Sequence, residues 1–227
     1  MYNITSPRKT VVLFDGFNLY HALIQKHGPC RPYAGYKWLD YYALAGALLS
    51  SQETLQDVFL FTTYAREGMY DWQQKRARHA ILLKVQRDKG VKVRRGRFAE
   101  RETRCLVPLA SGGCQKLFTT YEEKRTDVNI AVTLVEMAFQ EQYENALIVS
   151  ADSDLIPAIT VAKRVHPAGR LVNVAPVGRH WDAQILASEC DAKLGMTEAH
   201  LKAALMPREV TLSTGEVMTC PSSWMCK

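Results

Sequence analysis

Four aspartates stand where one ordered segment hands over to the next: Asp15, Asp127, Asp152 and Asp154. Asp15 ends the apolar run Thr10–Phe14 and is followed by Gly16 and Asn18. Asp152 and Asp154 follow a second run, Ala146–Val149, with Ser150 and Ser153 among them. Asp127 stands where a helical pattern begins. No basic residue adjoins Asp15, Asp152 or Asp154 in the chain. If these carboxylates converge, they repel one another unless a cation joins them. All-oxygen acidic clusters suit hard divalent ions, Mg²⁺ or Mn²⁺, and Asn18 adds an oxygen near Asp15. Such an ion can activate water and stabilise charge on a phosphodiester. Each piece alone has a plainer reading. Asp152-x-Asp154 is also the metal motif of sugar-nucleotide transferases, or a pair capping a strand end. Asp127 alone reads as an N-terminal helix acid favoured by the helix dipole.

The second chemical signal is a basic tract. From Lys75 to Arg104 there are twelve basic residues against three acidic ones, a net +9 against +6 for the whole chain. The remainder is therefore net acidic, and the excess in one segment points to a polyanion partner. A solvated helix face followed by an exposed hairpin would give the same count. Tyr64, Tyr70, Trp72 and Phe98 flank the tract and have rings that can stack on bases; for Trp72, core packing is the expectation. His21, His79 and His180 have no paired spacing and receive no catalytic role.

The elements that must position these groups follow from periodicity. Thr10–Phe14, Leu55–Tyr64, Ala146–Val149 and Arg170–Ala175 read as buried strands. Helices are expected over 40–49, over Asp71–Lys89 with Lys89-Gly90 as its stop, from Asp127 to Phe139, near 180–188, and from Glu198 to Met206. Ser153 is a plausible N-cap for a helix through Leu155, Ile159 and Ala162, with Pro157 in its first turn. Val91–Phe98 alternates apolar and basic residues, as an edge strand does. Residues 27–38 read as a loop, 99–125 as a surface insertion or hairpin, and 207–227 as an appended hairpin or tail. The order of elements predicts a three-layer α/β fold with a mostly parallel sheet and helices on both faces. In an open sheet of this kind, ligands bind at the carboxyl ends of the strands, where Asp15, Asp152 and Asp154 stand.

A chain of 227 residues, 47% hydrophobic, is long enough for a real core. No run approaches a membrane span, and the first residues lack the apolar core of a signal peptide, so a cytoplasmic protein is expected. The six cysteines, at 30, 105, 114, 190, 220 and 226, are scattered and read as free thiols. Cys105 and Cys114 lie too far apart for a zinc knuckle, though a distant His or Cys could complete a site.

Three segments, taken together, resemble a known family. Phe14–Leu19, Glu123–Ala131 and Val149–Leu155 resemble, in order and spacing, the signature segments of NYN-domain proteins of the LabA-like branch, within the PIN-like nuclease superfamily. The resemblance covers roughly residues 10–190 and implies a Rossmann-like (PIN-like) sheet over a domain that would reach residue 206. It implies a metal-dependent endoribonuclease in which Asp15, Asp127, Asp152 and Asp154 bind Mg²⁺ or Mn²⁺. Asn18 would support the first acid, and Ser150 and Ser153 would orient ligands or phosphate. The implied reaction is hydrolysis of single-stranded RNA, leaving a 5′-phosphate and a 3′-hydroxyl. Lys124 and Arg125, and Arg94, Arg95 and Arg97 of the basic tract, would contact RNA. One departure lies at Arg125, where many relatives carry Gly. The competing expectation is a catalytically weak or latent RNA-binding module that uses the same cleft, with a homo-oligomer or a regulatory protein as a further partner.

Overall fold

The computed structural model describes residues 6–26, 31–107 and 111–225. Its centre is a six-stranded sheet in the order β3-β2-β1-β6-β7-β8. The strands are β1 (Arg8–Asp15), β2 (Glu53–Thr62), β3 (Lys92–Arg95), β6 (Asn145–Val149), β7 (Arg170–Ala175) and β8 (Ala192–Gly195). Every neighbouring pair is parallel. The first three strands are laid down in one direction and the last three in the other. The direction reverses between β1 and β6, and that junction is the topological switch point of a doubly wound sheet.

Alternation along the buried strands splits the core in two. Val12, Phe14, Leu60, Leu147 and Val149 face α1 (Gly16–Ile24), α2 (Tyr41–Leu48) and α3 (Trp72–Asp88). Val11, Leu13, Phe61, Ala146 and Ile148 face α4 (Thr126–Phe139), α5 (Ile156–Val165) and α6 (Gln184–Glu189). Helices thus cover both faces, as the continuous apolar strands require. The β1–β6 register sets Phe14 beside Val149, so Asp15 and Ser150 leave the sheet side by side.

Several boundaries differ from the expectations. The alternating segment 91–98 is two strands. Lys92–Arg95 adds to the edge of the main sheet, the chain turns at Gly96, and Arg97–Arg104 (β4) pairs antiparallel with Leu117–Lys124 (β5). The expected insertion is this hairpin, rooted at the carboxyl edge of the sheet. Trp72 is half-buried and belongs to neither core cluster. The edge strand β8 falls where no apolar run marks it. The expected last helix is α7 (Glu198–Ala203). The segment after it forms a small hairpin, β9 (Glu209–Thr211) with β10 (Val217–Thr219), packed into the first core through Leu212 and Cys220. Trp38 Nε1 donates to Pro207 O at 2.8 Å, and Asp88 accepts from Ser213 N at 3.0 Å. No helix of the described residues is long and apolar enough to cross a membrane.

Candidate metal and nucleic-acid site

Asp15 is both the last residue of β1 and the N-cap of α1. Its Oδ1 accepts from the backbone N–H of Asn18 at 3.0 Å, and its Oδ2 accepts from Asn18 Nδ2 at 3.1 Å. Ser150 Oγ donates to the same Oδ2 at 2.9 Å, across the switch point. Asn18 Oδ1 in turn accepts from Ala151 N at 3.2 Å, and Ser150 Oγ accepts from Asp152 N at 3.1 Å. One small network therefore fixes the two strand ends to each other. Gly16 allows it: a Cβ there would lie 2.6 Å from Phe61 O, so any side chain would force α1 away from β2.

Asp152 rather than Ser153 caps the next element, its Oδ1 accepting from Asp154 N at 2.9 Å. Ser153, expected as the N-cap, instead opens a single 3₁₀ turn, Ser153–Leu155, and is exposed. Pro157 lies in the first turn of α5, as its missing N–H favours. Asp127 lies in the first turn of α4, half-buried.

The acids share one field. Burial pushes the Asp127 carboxyl up to about 6, helped by the charges of Asp15, Asp152, Glu123 and Asp154. Burial also raises Asp15, against its hydrogen bonds from Asn18 and Ser150, with Asp152 raising it further. None of these contributions to Asp15 or Asp127 comes from a cationic side chain. Glu123 joins the group: burial and the Asp15 charge raise it, and its carboxylate accepts from Thr126 N at 3.2 Å and from Thr126 Oγ1. Its motif position alone gives it no role. The usable signal is its place four residues before Asp127, where a carboxylate meets the free N–H groups of a helix start.

Among the described residues, no three carboxylate, imidazole or thiol groups stand close enough to close a metal cage. The donors are all oxygen, and the acids act on one another with no cation lowering Asp127, a set that suits a hard ion. Mg²⁺ commonly uses one or two carboxylates, keeps several waters and completes its shell with substrate phosphate, which an open set of this kind permits.

The structure divides the basic residues. Arg94 stacks on Phe59 and Arg95 on Tyr64, 5.7 and 5.3 Å from the ring centroids, on opposite faces of β3. Arg97 opens the hairpin, and all three are exposed without an ion pair among the described residues. Lys124 is paired with Glu122 at 3.0 Å. Arg125 is exposed and adopts φ +82°, the left-handed conformation that Gly takes freely. The backbone at the departure from the family pattern is therefore the one Gly would give. Tyr70 is open to solvent with Lys75 over it, whereas Tyr64 carries Arg76 and Arg95. His79, half-buried beside Tyr64, is held down to about 4 by desolvation. Cys105, Cys114, Cys190 and Cys220 are free thiols; Cys30 and Cys226 lie outside the described residues.

The NYN domain family profile matches residues 9–193. The chain belongs to the NYN domain family. The match spans the main sheet except Arg8 of β1 and the last two residues of β8, and it does not resolve branches within the family. A curated relative, 6-hydroxy-3-succinoylpyridine 3-monooxygenase HspA of Pseudomonas putida, is 25% identical over 199 residues. That alignment takes in 76% of this chain, which spans 61% of the length of HspA. A crystal structure of a protein of unknown function from Vibrio parahaemolyticus superposes with TM-score 0.51 at 16% identity, over 90% of this NYN chain and 99% of that one. At that identity the likeness concerns the fold. NYN domains fall within the PIN-like nuclease superfamily.

Proposed function

We propose that this NYN protein is a metal-dependent endoribonuclease of the LabA-like branch, hydrolysing single-stranded RNA at the carboxyl edge of its sheet. The observation that carries the reading is the hydrogen-bonded network through Ser150 that ties the strand ends bearing Asp15 and Asp152 together, with the Asp127 carboxyl raised by burial and by the acids around it. Such a site favours a bound cation, and hard oxygen donors favour Mg²⁺ or Mn²⁺. Asp15, Asp127, Asp152 and Asp154 would hold the ion, with Glu123 beside them. The ion, when bound, supplies Lewis acidity that lowers the pKa of water and offsets charge on the phosphate. Asn18 and Ser150 keep Asp15 oriented, and Ser153 faces solvent where a phosphate would lie. Lys124, Arg125, Arg95 and Arg97 stand at the hairpin root, where the RNA backbone would cross.

HspA is named as a monooxygenase, so membership of the fold does not select the reaction, and the reading rests on the site. A second reading is favoured by the absence of a closed three-carboxylate cage among the described residues: a latent RNA-binding module awaiting a partner. Cleavage of end-labelled single-stranded RNA decides between them, run with Mn²⁺, with Mg²⁺ and with EDTA beside Asp152→Asn. Metal-dependent cleavage lost in the variant supports the nuclease. RNA bound equally well in EDTA, with no cleavage under any condition, supports the module.

A further inference from the structure

The loop after β7 carries Trp181, whose indole is 83% exposed and has no ring partner among the described residues. A large ring so open is unusual on a loop that is otherwise pinned. Val177 and Ala183 are buried on either side of it, Arg179 N donates to Pro176 O at 3.0 Å, and Ala183 N donates to Arg179 O at 3.2 Å. His180 packs its ring against Gly195 of β8, where a Cβ would come within 2.6 Å. Arg179 is consumed by Asp182 at 2.8 Å, so the loop presents an aromatic face rather than a charge.

The topology places this ring. β7 neighbours β6, whose end carries Asp152 and Asp154, and α6, three residues after Trp181, packs against the 3₁₀ turn that holds Asp154. The basic hairpin root lies on the other side of the acids, beyond β1 and β2. From β3 to β7 is about 19 Å at ordinary strand spacing. His180 and Ala183, on either side of Trp181 in the chain, line with Asn173 and others an open cleft of about 800 Å³ between α6 and β8. That is roomy enough for a small planar group. Asn173 is fully buried; its Nδ2 donates to Ser150 O at 2.9 Å, while its Oδ1 has no hydrogen-bond partner.

We infer that Trp181 and this cleft form a nucleobase subsite, which receives an unpaired base of the RNA strand whose phosphates are held at the hairpin root. The inference rests on the ribonuclease reading and adds to it a second anchor across the acids. A strand held at both ends would lay its backbone over Asp15 and Asp152. Stacking on an exposed indole takes any base but only an unpaired one, so the subsite selects single strands over duplexes.

The test uses the whole protein in EDTA, which separates binding from cleavage. Anisotropy of a fluorescein-labelled oligouridine reports binding, and tryptophan emission against unlabelled oligouridine reports Trp181. We expect emission of the wild type to be quenched as RNA binds, and the quenched component to be missing from Trp181→Phe. Trp181→Ala is expected to weaken single-stranded binding by about 5- to 100-fold, with Trp181→Phe close to wild type and duplex binding unchanged in both. Anisotropy that rises without quenching overturns the subsite alone. Equal loss of single-stranded and duplex binding in Trp181→Ala overturns it as well. Anisotropy that never rises with the wild type overturns the subsite, whereas the ribonuclease reading stands or falls on metal-dependent cleavage.

Discussion

Ser150 Oγ donates to Asp15 Oδ2 at 2.9 Å, joining two residues 135 positions apart at the point where the sheet reverses direction. The bond is buried and its acceptor is a carboxylate, so it is stronger than a neutral one. Ser150→Ala is expected to destabilise the protein by about 1–3 kcal/mol, read from urea unfolding. It also removes a contribution that lowers the Asp15 carboxyl, so the acid limb of any metal-dependent activity should move to higher pH. An acid limb that stays put with stability lost would make Ser150 a purely structural residue.

The Asp127 carboxyl sets a pH window. Its pKa is raised in the folded state from 3.8 to about 6, so the folded protein holds a proton that the unfolded chain has lost. Stability without metal therefore falls as pH rises from about 4 through 6. The melting temperature in EDTA should be higher at pH 5 than at pH 7.5, and Asp127→Asn should flatten the difference. Added Mn²⁺ should restore stability at pH 7.5 in the wild type and not in the variant. A melting temperature that rises with pH across this window would contradict the convergence of the acids.

Arg125 and Gly96 make opposite predictions from neighbouring backbone. Arg125 holds φ +82° with a side chain, so Arg125→Gly should stabilise the fold by about 1 kcal/mol while weakening RNA binding through the lost charge. Gly96 lies where a Cβ would meet Lys124 O at 2.7 Å. Gly96→Ala should loosen the hairpin root and cost about 1–3 kcal/mol. Thermal melts of the two variants side by side check both signs.

Arg94 and Arg95 point to opposite faces of β3, which limits what the basic tract does. One strand of RNA can meet Arg97 and only one of those two. Neutralising all three should reduce the slope of log affinity against log salt by about 1.4, two phosphates at about 0.7 each for a single strand. Titrations of labelled RNA across a salt series measure it. An unchanged slope removes the tract from the interface.

The parallel sheet and the neighbouring ends of β1 and β6 were legible because both strands are unbroken apolar runs followed closely by acids. β8 was not, since Ala192–Gly195 is an edge strand of four residues with a lysine in it and little apolar surface. The break at Gly96 was hidden because basic residues continue on both sides of it, Arg94 and Arg95 before and Arg97 after, while Gly96 N donates to Thr62 O and turns the chain. Ser153 and Asp152 both have capping side chains, and only the backbone geometry decides for Asp152. Glu123 carries a local signal in its place just before the helix start at Thr126, whereas Trp181 owes its interest to strands far away in the chain, which periodicity does not report.

The position of β1 also governs when the site can exist. β1 is made first, yet one of its two neighbours, β6, is made about 130 residues later. On the ribosome the nascent chain exposes one flank of an apolar strand until Asn145–Val149 has emerged. Until then Asp15 lacks Ser150, and the acids cannot gather. The site is thus absent until that strand has been made, and a chain that stops before residue 145 is left with a bare strand edge.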